Sequence, residues 1–145
     1  MNNPLKDGPW PMSRHGRPAK IQRSYQNDLV SKIKPLDGTF KAVQYGELNY
    51  DSTNYPLYFI ATRDMDTSKP NILITGGVHG YETSGAHGAI EFMVKKASTY
   101  QSNFNLICAP CISPWGYETI NRWNPDANDP NRNFFKGTLF PSAAK

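Results

Sequence analysis

The sequence predicts an α/β domain built on a partial mixed sheet, and three observations carry that reading. Asn71–Thr75 (Asn-Ile-Leu-Ile-Thr) and Phe104–Ala109 are short apolar runs, the pattern of strands buried on both faces of a parallel sheet. Between them Ala86, Ile90, Met93 and Ala97 recur at helical spacing, so one stripe of a helix faces the sheet. Strand, helix, strand is a βαβ unit, which implies a parallel pair joined by a crossover. Upstream, Phe40–Leu48 and Tyr55–Ala61 read as two further strands joined by the polar stretch Asn49–Asn54.

The elements follow in chain order. Pro4, Pro9, Pro11 and Pro18 break any helix before residue 23. A short helix is expected from Ser24 to Ile33, with Tyr25, Leu29 and Ile33 on one face and Pro35 as its stop. Asp37-Gly38 and Asp64–Pro70 are turns. Gly76-Gly77 ends the third strand, and the main helix begins near Thr83. From Ser113 to Asn133 the chain holds three Pro, five Asn and two Asp, which reads as a long loop. Trp115, Tyr117 and Trp123 within it mark it as ordered and functional rather than as a linker. The expected organisation is an irregular basic segment with a short helix over residues 1–35, followed by an incomplete α/β domain over 36–145.

Composition excludes several classes. The chain has 145 residues and a net charge of +4. Three Trp, eight Tyr and seven Phe supply large apolar surfaces despite a mean hydropathy of −0.62. Residues 1–41 carry eight Lys/Arg against three Asp/Glu, and the rest carries eight against nine. The positive charge is therefore N-terminal, not the basic, aromatic-laced face of a nucleic-acid reader. No run approaches the roughly 18 apolar residues of a membrane helix. No leader pattern and no disulfide framework are visible, so the expected location is the cytoplasm.

Two stretches carry candidate chemistry. In Gly76-Gly77-Val78-His79-Gly80-Tyr81-Glu82, His79 and Glu82 are three apart at a strand-to-helix switch, where open α/β sheets bind ligands. Imidazole nitrogen and carboxylate oxygen both bind zinc at about 2.0–2.2 Å. The same pair also suits plain hydrogen-bonding groups at a helix entrance. In the long loop, Arg122 and Asn131-Arg132 offer planar forks and an amide that can grip a carboxylate and steady an oxyanion. By themselves two solvated arginines would look the same. His87, five residues beyond Glu82, is expected to point away from that pair and to sit on the helix surface beside Glu91. His15 falls in the irregular segment. Cys108 and Cys111 close a strand, where residues three apart are about 10 Å apart, beyond disulfide reach; two inert thiols are expected.

Taken together, His79-Gly80-Tyr81-Glu82, Pro114-Trp115-Gly116-Tyr117 with Arg122, and Asn131-Arg132-Asn133-Phe134 resemble the zinc carboxypeptidase family in order and spacing, over residues 71–135. The resemblance implies zinc held by His79 and Glu82. It implies that Arg122 polarises the scissile carbonyl and that Asn131 and Arg132 hold the substrate's terminal carboxylate. The activity it implies is zinc-dependent hydrolysis of a peptide or amide bond beside a free carboxylate. An N-acyl amino-acid deacylase of the aspartoacylase and succinylglutamate desuccinylase type shares similar motifs, and a non-catalytic carboxylate-binding fragment is the third alternative. Expected partners are a peptide or N-acyl amino acid, with no nucleic acid and no membrane. In that family a third zinc ligand, a His, and a general base, a Glu, lie well beyond the Asn-Arg pair. The thirteen residues after Arg132 contain no His, Glu or Asp. The chain therefore reads as the N-terminal half of such an enzyme, with a C-terminal half or partner chain to complete it.

Overall fold

A computed structural model describes residues 20–50, 53–126, 128–132 and 134. The expected irregular segment before residue 20, with His15, lies outside the described residues. Among the described residues no helix is long and apolar enough to cross a membrane.

A helical segment opens the described chain. A π turn (Gln26–Val30) leads into a short α-helix, α1 (Ser31–Ile33), and a 3-10 turn (Lys34–Gly38). Tyr25, Leu29, Val30 and Ile33 from it are buried in the core. Pro35 tightens the helix rather than stopping it, because it sits in the first turn of the 3-10 segment, where its missing N–H has no partner to lose.

Strands β1 (Lys41–Tyr50) and β2 (Thr53–Ala61) pair antiparallel. Both run further into the connection than the polar residues 49–54 suggested. β3 (Asn71–Thr75) and β4 (Asn105–Ala109) are parallel neighbours, joined by helix α2 (Thr83–Lys95). The sheet order is β1-β2-β4-β3, and β2 pairs antiparallel with β4. The predicted mixed α/β sheet with its βαβ unit is therefore the fold. Ala86, Ile90 and Met93 are buried, so that stripe is the face α2 turns to the core; Ala97, also buried, lies past the end of α2 in a 3-10 turn (Ala97–Tyr100).

One expectation fails. β3 was expected to be buried on both faces, but four of its five residues are exposed, with Leu73 68% accessible. Among the described residues β3 is the edge of the sheet, and β4, one strand further in, is the buried one.

The long loop is also more structured than expected. Pro114 starts a short helix, α3 (Pro114–Thr119), and Pro130–Arg132 forms a 3-10 turn. α3 ends on Ile120 in the left-handed region, at φ 57° and ψ 46°. A β-branched residue resists that conformation, and the strain costs on the order of 1–2 kcal/mol. Ile120 is also partly exposed, so little packing opposes its replacement. Ile120→Asn is expected to raise stability by about 1 kcal/mol, measured by urea unfolding.

Candidate active site

The site is built on the chain that leaves β3. Gly76 N–H donates to Ala109 O, while Ile112 and Ser113 N–H groups donate to Gly76 and Gly77 carbonyls. The two segments thus continue side by side beyond the sheet. Gly77 takes φ +55°, a conformation open to glycine at no steric cost. The chain then turns through His79-Gly80-Tyr81 into α2. Glu82 is the N-cap of α2, yet its side chain does not cap the helix. Its carboxylate turns back instead, and Oε1 lies 3.0 Å from His79 Nδ1.

His79 is 6% exposed. Its other ring nitrogen, Nε2, is 2.9 Å from Asp129 Oδ1. Asp129 accepts further bonds, at Oδ1 from the Asn131 N–H (2.9 Å) and at Oδ2 from Arg122 Nε and Nη2 (3.2 and 3.0 Å). Arg122 Nη1 also reaches the Tyr81 hydroxyl at 3.4 Å, and the Tyr81 ring stacks on His79 with centroids 6.1 Å apart. One imidazole is therefore fixed from three sides.

The electrostatics follow from these contacts. The hydrogen-bond contact with His79 holds the Glu82 carboxyl below its ordinary range; burial opposes it, and the Tyr81 hydroxyl adds to the lowering. Burial acts to raise the Asp129 pKa, but bonds from His79, Arg122 and the Asn131 N–H together pull it down. Both groups are held as carboxylates, which is the protonation state a cation site needs.

The residues fit a zinc ion in part. A neutral imidazole carries one N–H; in the tautomer that donates Nε2–H to Asp129, the Nδ1 lone pair faces Glu82 and is the ligand atom, in place of a hydrogen bond between the two. Two donors on one tetrahedral zinc stand about 3.4 Å apart, and His79 Nδ1 and Glu82 Oε1 are 3.0 Å apart. Asp129 lies on the far nitrogen of the ring, so it orients the imidazole rather than converging with Glu82. Among the described residues no group of three or more His, Cys, Asp or Glu is disposed to hold a metal ion.

No family model and no curated protein matches the sequence. Solved structures do. A Shewanella denitrificans protein named as a metallopeptidase matches with TM-score 0.65 and 22% identity, over 89% of this chain and 52% of that one. A metallo-carboxypeptidase from Burkholderia cenocepacia matches with TM-score 0.55 and 14% identity, over 69% of this chain and 30% of that one. The fold is that of the metallocarboxypeptidases. A Shewanella frigidimarina protein named as a succinylglutamate desuccinylase or aspartoacylase also matches, with TM-score 0.53 and 24% identity, over 70% of this chain and 28% of that one. This chain spans about half the length of the first of these and under a third of the other two.

On this carboxypeptidase-like fold, His79 and Arg122 come together on Asp129, and Glu82 stands on the other nitrogen of the His79 ring. Asn131 and Arg132 stand exposed on the 3-10 turn beside Asp129, and the Arg132 N–H donates to the Asp129 carbonyl. Residue types and spacing alone assign Asp129 no role. Its one local signal is the Asp-Pro-Asn turn, in which an Asp carboxylate accepts the N–H two residues on. His87 lies near Glu91, as expected, but is half-buried rather than on the open surface. Its Nε2 lies 3.1 Å from the Tyr117 hydroxyl, which in turn donates to Asp28 Oδ2 at 3.1 Å. Cys108 and Cys111 are free and buried, and burial pushes both thiols up to about 12.

Proposed function

We propose that this chain carries part of a zinc-dependent hydrolase site that cleaves a peptide or amide bond next to a free carboxylate. The supporting observation is His79 held between two carboxylates, Nε2 on Asp129 and Nδ1 toward Glu82. That is how a metal-ligating imidazole is oriented, its far nitrogen fixed by a second carboxylate. His79 Nδ1 and Glu82 would hold the ion. Bound zinc supplies a polarised carbonyl and an acidified water.

The chain's own residues supply the rest. Asp129 fixes the tautomer of His79. Arg122, partly exposed beside the pair, presents guanidinium N–H groups to an oxyanion. Asn131 and Arg132 bind the substrate's terminal carboxylate and so fix which bond is presented for attack. A third ligand and a general base are not among these residues, so the 145-residue chain alone is expected to be inactive. A second reading, hydrolysis of N-acyl amino acids, draws support from the likeness to the Shewanella frigidimarina protein.

The test has two parts. Zinc titrated into the chain is expected to shift the His79 ring resonances, and His79→Ala or Glu82→Ala is expected to abolish binding at that site. Zinc binding unaffected by either substitution would refute the assignment. A blocked dipeptide with a free carboxylate is expected to bind about tenfold more tightly than its amide, a preference lost in Arg132→Ala. Chelator-sensitive turnover by the 145-residue chain would instead show that it holds a complete site.

A further inference from the structure

We propose that Tyr81 is a positioning residue of the site, its hydroxyl joining the two segments that carry the chemistry by accepting from Arg122 and donating to Glu82. The inference rests on the metal reading of His79 and Glu82 and adds a residue to it.

Tyr81 lies in the turn between β3 and α2, flanked in sequence by His79 and Glu82. Its backbone N–H donates to the Asn121 carbonyl at 3.2 Å, so the turn is tied to the residue just before Arg122. Its side chain repeats that tie. Arg122 Nη1 is 3.4 Å from the hydroxyl, and the hydroxyl is also a hydrogen-bond partner of the Glu82 carboxylate. The ring lies nearly parallel to the His79 imidazole, with 16° between planes and 6.1 Å between centroids. One half-buried side chain therefore touches all three residues around which the proposed chemistry is built.

The direction of the hydrogen bonds follows from the groups. A guanidinium has only donors and a carboxylate only acceptors. The phenol oxygen therefore accepts from Arg122, and its single proton goes to Glu82. A hydroxyl that accepts from a cation is the better donor for it, since each bond in a chain polarises the next.

Glu82 needs such a partner. It makes no cap bond to α2 and its side chain is half-exposed, so other rotamers would carry it away from His79. Asp129 orients the imidazole, and Tyr81 does the same for the carboxylate, keeping Oε1 at 3.0 Å from Nδ1. Metal-ligating carboxylates are themselves held by hydrogen bonds of this kind. Arg122 gains as well. Its Nε and Nη2 are on Asp129 and its Nη1 is on Tyr81, so the guanidinium plane is set before any substrate arrives.

Tyr81→Phe keeps the ring and deletes the oxygen. In the metal-free chain the NMR resonance of the Glu82 side-chain carboxyl carbon is expected to shift. The His79 ring is expected to keep its proton on Nε2, because Asp129 is untouched. Zinc, titrated in competition with a chromogenic chelator, is expected to bind about tenfold more weakly. The losses in Tyr81→Phe and Arg122→Met are expected to be less than additive, as for members of one hydrogen-bonded chain. A merely structural loss would instead move the His79 ring with the turn and add independently to that of Arg122→Met. An unmoved Glu82 carbon, an unchanged zinc affinity or strictly additive losses would overturn the role of Tyr81 and leave the metal site standing. An unaltered chain that takes up no zinc at His79 would overturn the metal reading, and this role with it.

Discussion

Gly80→Ala is expected to destabilise the protein by about 3 kcal/mol, at the upper end for an overpacking change. A Cβ on Gly80 would stand 1.8 Å from the Gly116 carbonyl carbon and 2.0 Å from the Tyr117 nitrogen. These are backbone atoms, so no rotamer change relieves the overlap. Either the His79 turn or α3 has to move. α3 is poorly placed to move, because Tyr117 is fully buried. Glu118 on the same helix accepts from the Tyr25 N–H and the Tyr55 hydroxyl. Its backbone carbonyl accepts from the N–H groups of Gln22 and Arg23. Moving the turn instead displaces His79 from Asp129, so zinc binding should fall with stability. Gly88→Ala is the control. Nothing lies within 4 Å of its Cβ position, and it sits inside α2, so alanine is expected to stabilise by about 0.5–1 kcal/mol. Urea unfolding should move in opposite directions for the two variants; equal effects would refute the clash argument.

Asp129→Asn is expected to lower zinc affinity about 10–100-fold, the usual effect of losing a carboxylate that orients a ligating histidine. The shape is kept, but the charge and one acceptor oxygen are lost. The donors from His79, Arg122 and Asn131 then compete for a single carbonyl, and the amide N–H2 faces donors. Leaving such groups unpaired costs about 2 kcal/mol. A merely structural loss would leave the His79 tautomer unchanged, so the nitrogen shifts of the His79 ring are the decisive readout. The variant should lose its preference for a proton on Nε2. The pH dependence has a fixed sign. Because the native pKa of Asp129 is depressed, its contribution is present above the unfolded carboxyl value of about 3.9 and is lost as pH falls through the lower native value. Glu82 acts in the same direction but is half exposed, so its share is smaller. In Asp129→Asn the acid limb of the stability profile should flatten.

How far the sequence could be read depends on the range of the interaction. The α2 stripe and the βαβ unit follow from local periodicity, and the His79–Glu82 pair is three residues apart. These were legible. The exposure of β3 was not, because an apolar strand reads the same at an edge or in the middle of a sheet; burial there is decided by neighbours. α3 was hidden by Pro114 and Gly116, which signal a loop in isolation. Here Pro114 occupies the first helical position, and Gly116 packs against Gly80. Asp129 is 50 residues from His79, and His87 is 30 from Tyr117. No spacing rule spans such separations. The roles proposed for Arg122, Asn131 and Arg132 follow from their side-chain chemistry and from the family resemblance. The fold places Arg122 on Asp129, a contact that residue types alone did not suggest.

The order β1-β2-β4-β3 also fixes when the domain can close during synthesis. The β1–β2 hairpin can form as soon as it is made. β3, made next, waits for β4, which among the described residues is its one neighbour in the sheet and the link between it and the hairpin. Until residue 109 has left the ribosome, Leu29, Ile60, Ile90 and Met93, all buried in the finished core, have no closed core to enter. His79 and Glu82 precede that event and Arg122 and Asp129 follow it, so the residues around the imidazole gather only after the sheet has closed.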